Sequence, residues 1–113
     1  MKLYRAKIKL FLETLTSIEP LISFTTSCIK ECVNTLTSLT FTTATKPTDG
    51  TDHMYIVRFK TGITPPTIIV PAEWAYKGDG CTNGAWTTVE ANKYYELHGS
   101  WVLDKLVWMV NKI

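Results

Sequence analysis

The chain has 113 residues, of which 45% are hydrophobic and 19% charged, with a formal net charge of +2. That length suits one domain with a real core. The sparse, balanced charge excludes a nucleic-acid footprint or an acidic tail as the recognition element. Eighteen threonines, seven valines and nine isoleucines make 34 β-branched residues, and such side chains fit a pleated, half-buried surface better than a helix.

Residues 3–15, LYRAKIKLFLETL, support two periods. With period two, Tyr4, Ala6, Ile8, Leu10 and Leu12 share a face opposite Arg5, Lys7 and Lys9; with helical period, Tyr4, Ile8, Phe11, Leu12 and Leu15 form a stripe. The alternation is the cleaner signal, so the segment reads as a strand with a short helix as the alternative. The four cations Lys2, Arg5, Lys7 and Lys9 interrupt any signal-peptide core. No window approaches the roughly 20 apolar residues that span a bilayer. The expectation is a soluble protein made in the cytoplasm, with no membrane partner. Residues 1–20 are read as a basic, apolar arm and a possible anchor, and residues 21–113 as one domain.

Pro20 breaks the chain after Glu19. Leu21–Val33 and Thr37–Thr43 then read as strands, and ATKPTDGTD as a loop whose Pro47, Asp49 and Gly50 carry turn chemistry. In MYIVRF, Met54, Ile56 and Arg58 alternate with Tyr55, Val57 and Phe59, and Thr61-Gly62 ends the strand. TIIV after Pro65-Pro66 is apolar on both faces, as a buried strand would be. Between Pro71 and Glu90, Gly78, Gly80 and Gly84 predict mostly loop, with Trp74 capping the core. Asn92-Lys93 turns the chain into a last hairpin, which reverses near Leu103-Asp104-Lys105. Its arms align Tyr95, Leu97 and Gly99 on one side, and Leu106, Trp108 and Val110 against Val107 and Met109 on the other. Trp101 and Trp108 read as cross-strand partners, core members or an exposed strip. Short strands with regular turn signals predict an all-β sandwich or barrel, and a small antiparallel β-sandwich is the fold expected.

Chemistry finds little purchase. Cys28, Cys32 and Cys81 are an odd set without zinc spacing. Cys28 and Cys32, four apart, share one face of either a strand or a helix, and along one strand they are too distant to bond without a bend in the backbone. They read as small reduced hydrophobes. His53 and His98 are isolated, so a Cys–His pair with Cys81 has little support. The carboxylate pairs Glu73 with Asp79 and Glu90 with Glu96 are arbitrary choices for acid–base work. Gly78-Asp79-Gly80 lacks the helix and the lysine of a phosphate loop, and Asp79 with Asn83 falls short of a calcium loop. No catalytic residue, metal site or cofactor is therefore assigned, and the chain is not read as an enzyme. One binding candidate stands out. Tyr76, Asp79 and Trp86, in or beside the glycine-rich loop, combine aromatic rings with a polar group as a contact for a partner or a glycan. The alternative is that the rings cover the end of the sandwich.

The ordered series LTSLTFT, PTDGTDHMYIVRFKTG, TPPTIIVPAEW and ANKYYELHGSWVLDKLVWMV, over residues 22 to 111, resembles a small β-rich module. That module recurs at the C-terminal ends of tail-fibre, head-fibre and other minor virion proteins of tailed bacteriophages. The matching positions are Leu36, Thr37, Ser38, Leu39, Phe41, Tyr55, Phe59, Thr61, Gly62, Thr67, Pro71, Trp74, Gly78, Asp79, Ala91, Asn92, Lys93 and Tyr95. The resemblance implies a jelly-roll-like sandwich in the virion, acting as a capsid-decoration, head-fibre or tail-associated subunit. Its implied partners are other virion proteins and further copies of itself. The alternative function is a carbohydrate-binding module that recognises the host cell surface.

Overall fold

The computed structural model describes residues 10–113, and through most of them the chain alternates between two sheets. A six-stranded sheet holds β1 (Phe11–Leu15), β3 (Cys28–Cys32), β5 (Met54–Lys60), β7 (Ala75–Gly78), β10 (Tyr94–Val102) and β11 (Lys105–Lys112). Its order is β1-β3-β5-β10-β11-β7. A three-stranded sheet holds β2 (Leu21–Phe24), β4 (Ser38–Ala44) and β6 (Thr67–Ile69) in the order β2-β4-β6, and β8 (Cys81–Thr82) with β9 (Ala85–Trp86) forms a small hairpin. The described residues contain no helix, so none is long and apolar enough to cross a membrane.

The all-β class is as expected, but the antiparallel pairing is not. β1 with β3, β3 with β5, β2 with β4, β4 with β6 and β11 with β7 are parallel; only β5–β10, β10–β11 and β8–β9 are antiparallel. The connections explain it. From β1 to β7 each turn carries the chain across to the other sheet rather than back along its own. Every second strand therefore returns to its first sheet running the same way, with an intervening strand serving as the crossover that parallel neighbours require. A turn signal marks where a strand ends, not which sheet the next strand joins.

Several boundaries shift for local reasons. Leu21–Val33 is two strands, because Thr25-Thr26-Ser27 turns the corner between the sheets. β6 is an edge strand with Ile69 exposed, not a buried one. The loop expected over 71–90 contains β7 and the β8–β9 hairpin. That hairpin turns on Asn83 (φ 52°) and Gly84 (φ 80°), the asparagine-glycine pair that best suits a tight two-residue reversal. At the N-terminus, residues 11–15 are a strand of the main sheet, as the period-two reading expects, and residues 16–20 lead from it into β2; residues 1–9 of the arm lie outside the described residues.

The core lies between the facing sides of the two sheets. β2 and β4 contribute Ile22, Phe24, Leu39 and Phe41; the main sheet contributes Tyr55, Val57, Phe59, Tyr95, Leu97, Leu106, Trp108 and Val110, all buried. The alternation read in β5, β10 and β11 places these residues correctly. Trp108 is fully buried and sits opposite Gly99, not Trp101. Its ring is 5.0 Å from those of both Phe24 and Phe41 across the sheets, and Trp74 joins the same cluster. Trp101 is half-buried and donates its indole N–H to Tyr55 Oη at 3.1 Å.

Gly99 makes this packing possible. A Cβ built there would lie 2.8 Å from Cε3 and Cζ3 of Trp108. Gly99→Ala should therefore destabilise the fold by about 1–3 kcal/mol through overpacking, whereas the outward-facing Ser100→Ala should change it by less than about 0.5 kcal/mol. Urea unfolding followed by tryptophan fluorescence checks this, and equal midpoints for Gly99→Ala and wild type would refute it.

Candidate functional site

The three predicted contact residues do not form one exposed surface. Tyr76, on β7, is buried and donates its hydroxyl to the Pro71 carbonyl at 2.9 Å. Burial also raises its pKa, so the phenol stays protonated. Trp86, on β9, is buried among Phe59, Tyr76 and Tyr95, with ring centroids 6.2 to 6.5 Å away. Neither ring offers an open face for a sugar, because both complete the core at the end of the main sheet where the three-stranded sheet stops. Asp79 serves the fold in another way. Its N–H donates to the Val110 carbonyl, and its Oδ2 accepts the Lys112 N–H at 2.7 Å, which pins the 78–80 turn to the end of β11.

Tyr76 and Trp86 do share the wall of one crevice of about 390 Å³. It lies between the outer edge of β6 and the tip of the β8–β9 hairpin, and Ile68, Val70, Pro71 and Ala85 complete its largely apolar lining. The indole N–H of Trp86 has no hydrogen-bond partner among the described residues. A second depression, of about 310 Å³, opens on the outer face of the main sheet between Val33, Lys60, Tyr94 and Ile113.

The most developed polar array also lies on that outer face, and sequence reading did not find it. Glu31, Arg58 and Glu96 sit side by side on β3, β5 and β10. Arg58 Nε donates to Glu96 Oε2 at 2.8 Å and Nη1 to Glu31 Oε2 at 3.3 Å, while His98 Nε2 meets Glu96 Oε1 at 2.7 Å. The available signal was period-two spacing, which placed Arg58, Glu96 and His98 on outward positions without showing that β3, β5 and β10 are neighbours. These groups are half-open to solvent and paired with one another, so they describe a charged ladder rather than a reactive centre.

The groups weighed for chemistry are dispersed. Burial pushes the Cys32 thiol up to about 11 and raises Cys28 and Cys81 as well, so none is held as a thiolate, the nucleophilic form. His53 Nδ1 lies 3.1 Å from Tyr55 Oη, and His98 is engaged by Glu96; neither is bonded to Cys81. Of the paired carboxylates, Glu90 is held by Lys112 and Glu96 by Arg58 and His98. Among the described residues no group of three or more His, Cys, Asp or Glu side chains is arranged to hold a metal ion.

The motif positions instead converge on a clamp. Thr61 Oγ1 donates to the Glu90 carbonyl at 2.7 Å and accepts the Lys93 N–H at 2.9 Å; Asn92 N–H donates to the Gly62 carbonyl, and Tyr95 Oη accepts the Glu90 N–H. Asn92 takes φ 56°, the left-handed geometry expected of it. At Gly62 a Cβ would meet Thr35 Cγ2 at 2.8 Å, so close packing favours the glycine.

The ladder generates a pH prediction. His98 first, then Arg58, holds the Glu96 carboxyl below its ordinary value of 4.5. A carboxyl depressed in the folded state adds stability that is complete above its unfolded pKa and disappears as pH falls through the folded pKa. Glu96→Gln should thus be less stable than wild type near neutrality, and the gap should close as the pH falls below 4.5. Urea midpoints across that range measure it; a gap that persists in acid would assign the loss to packing. No protein-family model, curated protein or solved structure matches this chain.

Proposed function

We propose that the chain is a structural protein of a tailed-bacteriophage virion, a capsid-decoration, head-fibre or tail-associated subunit that works by assembly and attachment rather than by catalysis. The observation that carries the reading is where the motif residues fall. Leu36, Leu39, Phe41, Tyr55, Phe59, Trp74 and Tyr95 are core, and Thr61, Gly62, Gly78, Asp79, Asn92 and Lys93 hold the turns. The residues that define the resemblance therefore build a scaffold and surround no reactive centre, as a module used for its shape requires. The finer description, a jelly-roll-like sandwich, belongs to this proposal: two facing sheets favour it, and the parallel arches depart from it.

Mass spectrometry and immunogold imaging of virions from the source phage test the reading. The expected result is the protein at high copy on heads or tails, and its absence from clean particles would sink it. Anchoring is assigned to residues 1–9, which hold all four N-terminal cations, since residues 11–15 are a strand. A chain lacking residues 1–9 should keep its far-ultraviolet circular dichroism and lose incorporation, whereas unchanged incorporation removes that role.

A carbohydrate-binding module is the second reading. Only the apolar crevice beside Trp86 favours it, because the ring faces are covered.

A further inference from the structure

We infer that β1 is an assembly edge, pairing antiparallel with β1 of a second copy across a two-fold axis. The inference deepens the assembly reading by naming a partner. It follows from comparing the outer strands of both sheets, because an unpaired strand edge presents backbone groups that natural folds usually guard. β6 has three residues, preceded by Pro65-Pro66 and followed by Pro71. β2 follows Pro20 and its register shifts between Ile22 and Phe24. β7 is covered by the β8–β9 hairpin, its Tyr76 N–H donating to the Gly84 carbonyl. Among the described residues β1 has none of these devices. Its five residues pair with β3 without a bulge, contain no proline or glycine, and leave Phe11 81% and Leu12 55% exposed.

The backbone fixes how a second strand would fit. Val33 N–H donates to the Leu15 carbonyl, so Leu15 faces β3. Because the N–H and C=O of one strand residue point to the same side and alternate along the strand, Phe11 and Glu13 also face β3, while Leu12 and Thr14 turn theirs outward. An axis at Glu13 would set two carboxylates opposite each other, an unfavourable cross-strand pair. An axis at Leu12 sets Leu12 against Leu12 of the second copy. It also lays Phe11 against Glu13 of the second copy, a carboxylate that Lys30 neutralises within its own chain at 2.9 Å. The second register satisfies the outward N–H and C=O groups and covers the two exposed apolar side chains.

Sedimentation velocity on the full chain, from micromolar to sub-millimolar concentration, should show a monomer–dimer equilibrium. Hydrogen exchange of the Leu12 and Thr14 amides should slow as the dimer forms. Leu12→Pro removes an outward donor but no bond to β3 and should be monomeric; Phe11→Lys, which places a charge at the seam, carries the same test should the proline variant not fold. A wild-type chain that stays monomeric throughout, a dimer that survives both variants, or Leu12 and Thr14 amides that exchange freely in the dimer would each overturn the inference. All readouts use purified protein, so a dimer with no place in virions would fail only the functional reading.

Discussion

The fold depends on one close approach, the Trp108 ring lying across Gly99. A side chain at position 99 would occupy the space of the indole; without one, the largest ring of the core reaches the facing sheet and contacts Phe24 and Phe41. Those two phenylalanines come from β2 and β4, a flanking strand and the central strand of a sheet of only three strands. Tyr55 and Trp74 pack around the same centre. Aromatic side chains bury large areas and gain about 0.5–1.5 kcal/mol per well-oriented pair beyond that area. In so small a domain this cluster is what joins the two layers. The indole N–H of Trp108 has no partner among the described residues, a cost of about 1–3 kcal/mol that the packing has to exceed.

Around that centre the chain moves back and forth between layers, and this alternation makes most neighbours parallel. It also distributes the edges. The three-stranded sheet ends in strands that prolines and a register shift make poor templates, and the far side of the main sheet is closed by the small hairpin. The last hairpin, β10–β11, is antiparallel and lies within the main sheet, where β5, itself antiparallel to β10, and β7 flank it. The clamp of Thr61, Glu90, Asn92, Lys93 and Tyr95 locks its entry, and Asp79 locks its exit. The residues of the phage-like pattern thus act together in space although they are spread along the chain.

This arrangement bears on what such a protein does. Cys28 and Cys32 are buried with raised pKa values, His98, Glu90 and Glu96 are paired with neighbours, and Tyr76 and Trp86 have turned inward. Among the described residues the surface also carries a charged ladder, an apolar crevice and the β1 edge. These are the features that the proposed assembly role would use.

The sequence by itself determined the all-β class, the inward faces of β5, β10 and β11, the final hairpin and its Asn92 turn. Each follows from local chemistry: period-two alternation, β-branched residues and a residue that tolerates positive φ. The Asn83-Gly84 hairpin was equally legible, but the surrounding glycines drew the reading towards loop. Only the tertiary structure decided that β1, β3 and β5 run parallel, that Glu31, Arg58 and Glu96 meet, and that Tyr76 and Trp86 are core. A turn residue fixes a local bend yet is silent about the sheet that receives the next strand. The face a tryptophan presents depends on neighbours brought from elsewhere in the chain, and for Trp86 those neighbours are Phe59, Tyr76 and Tyr95.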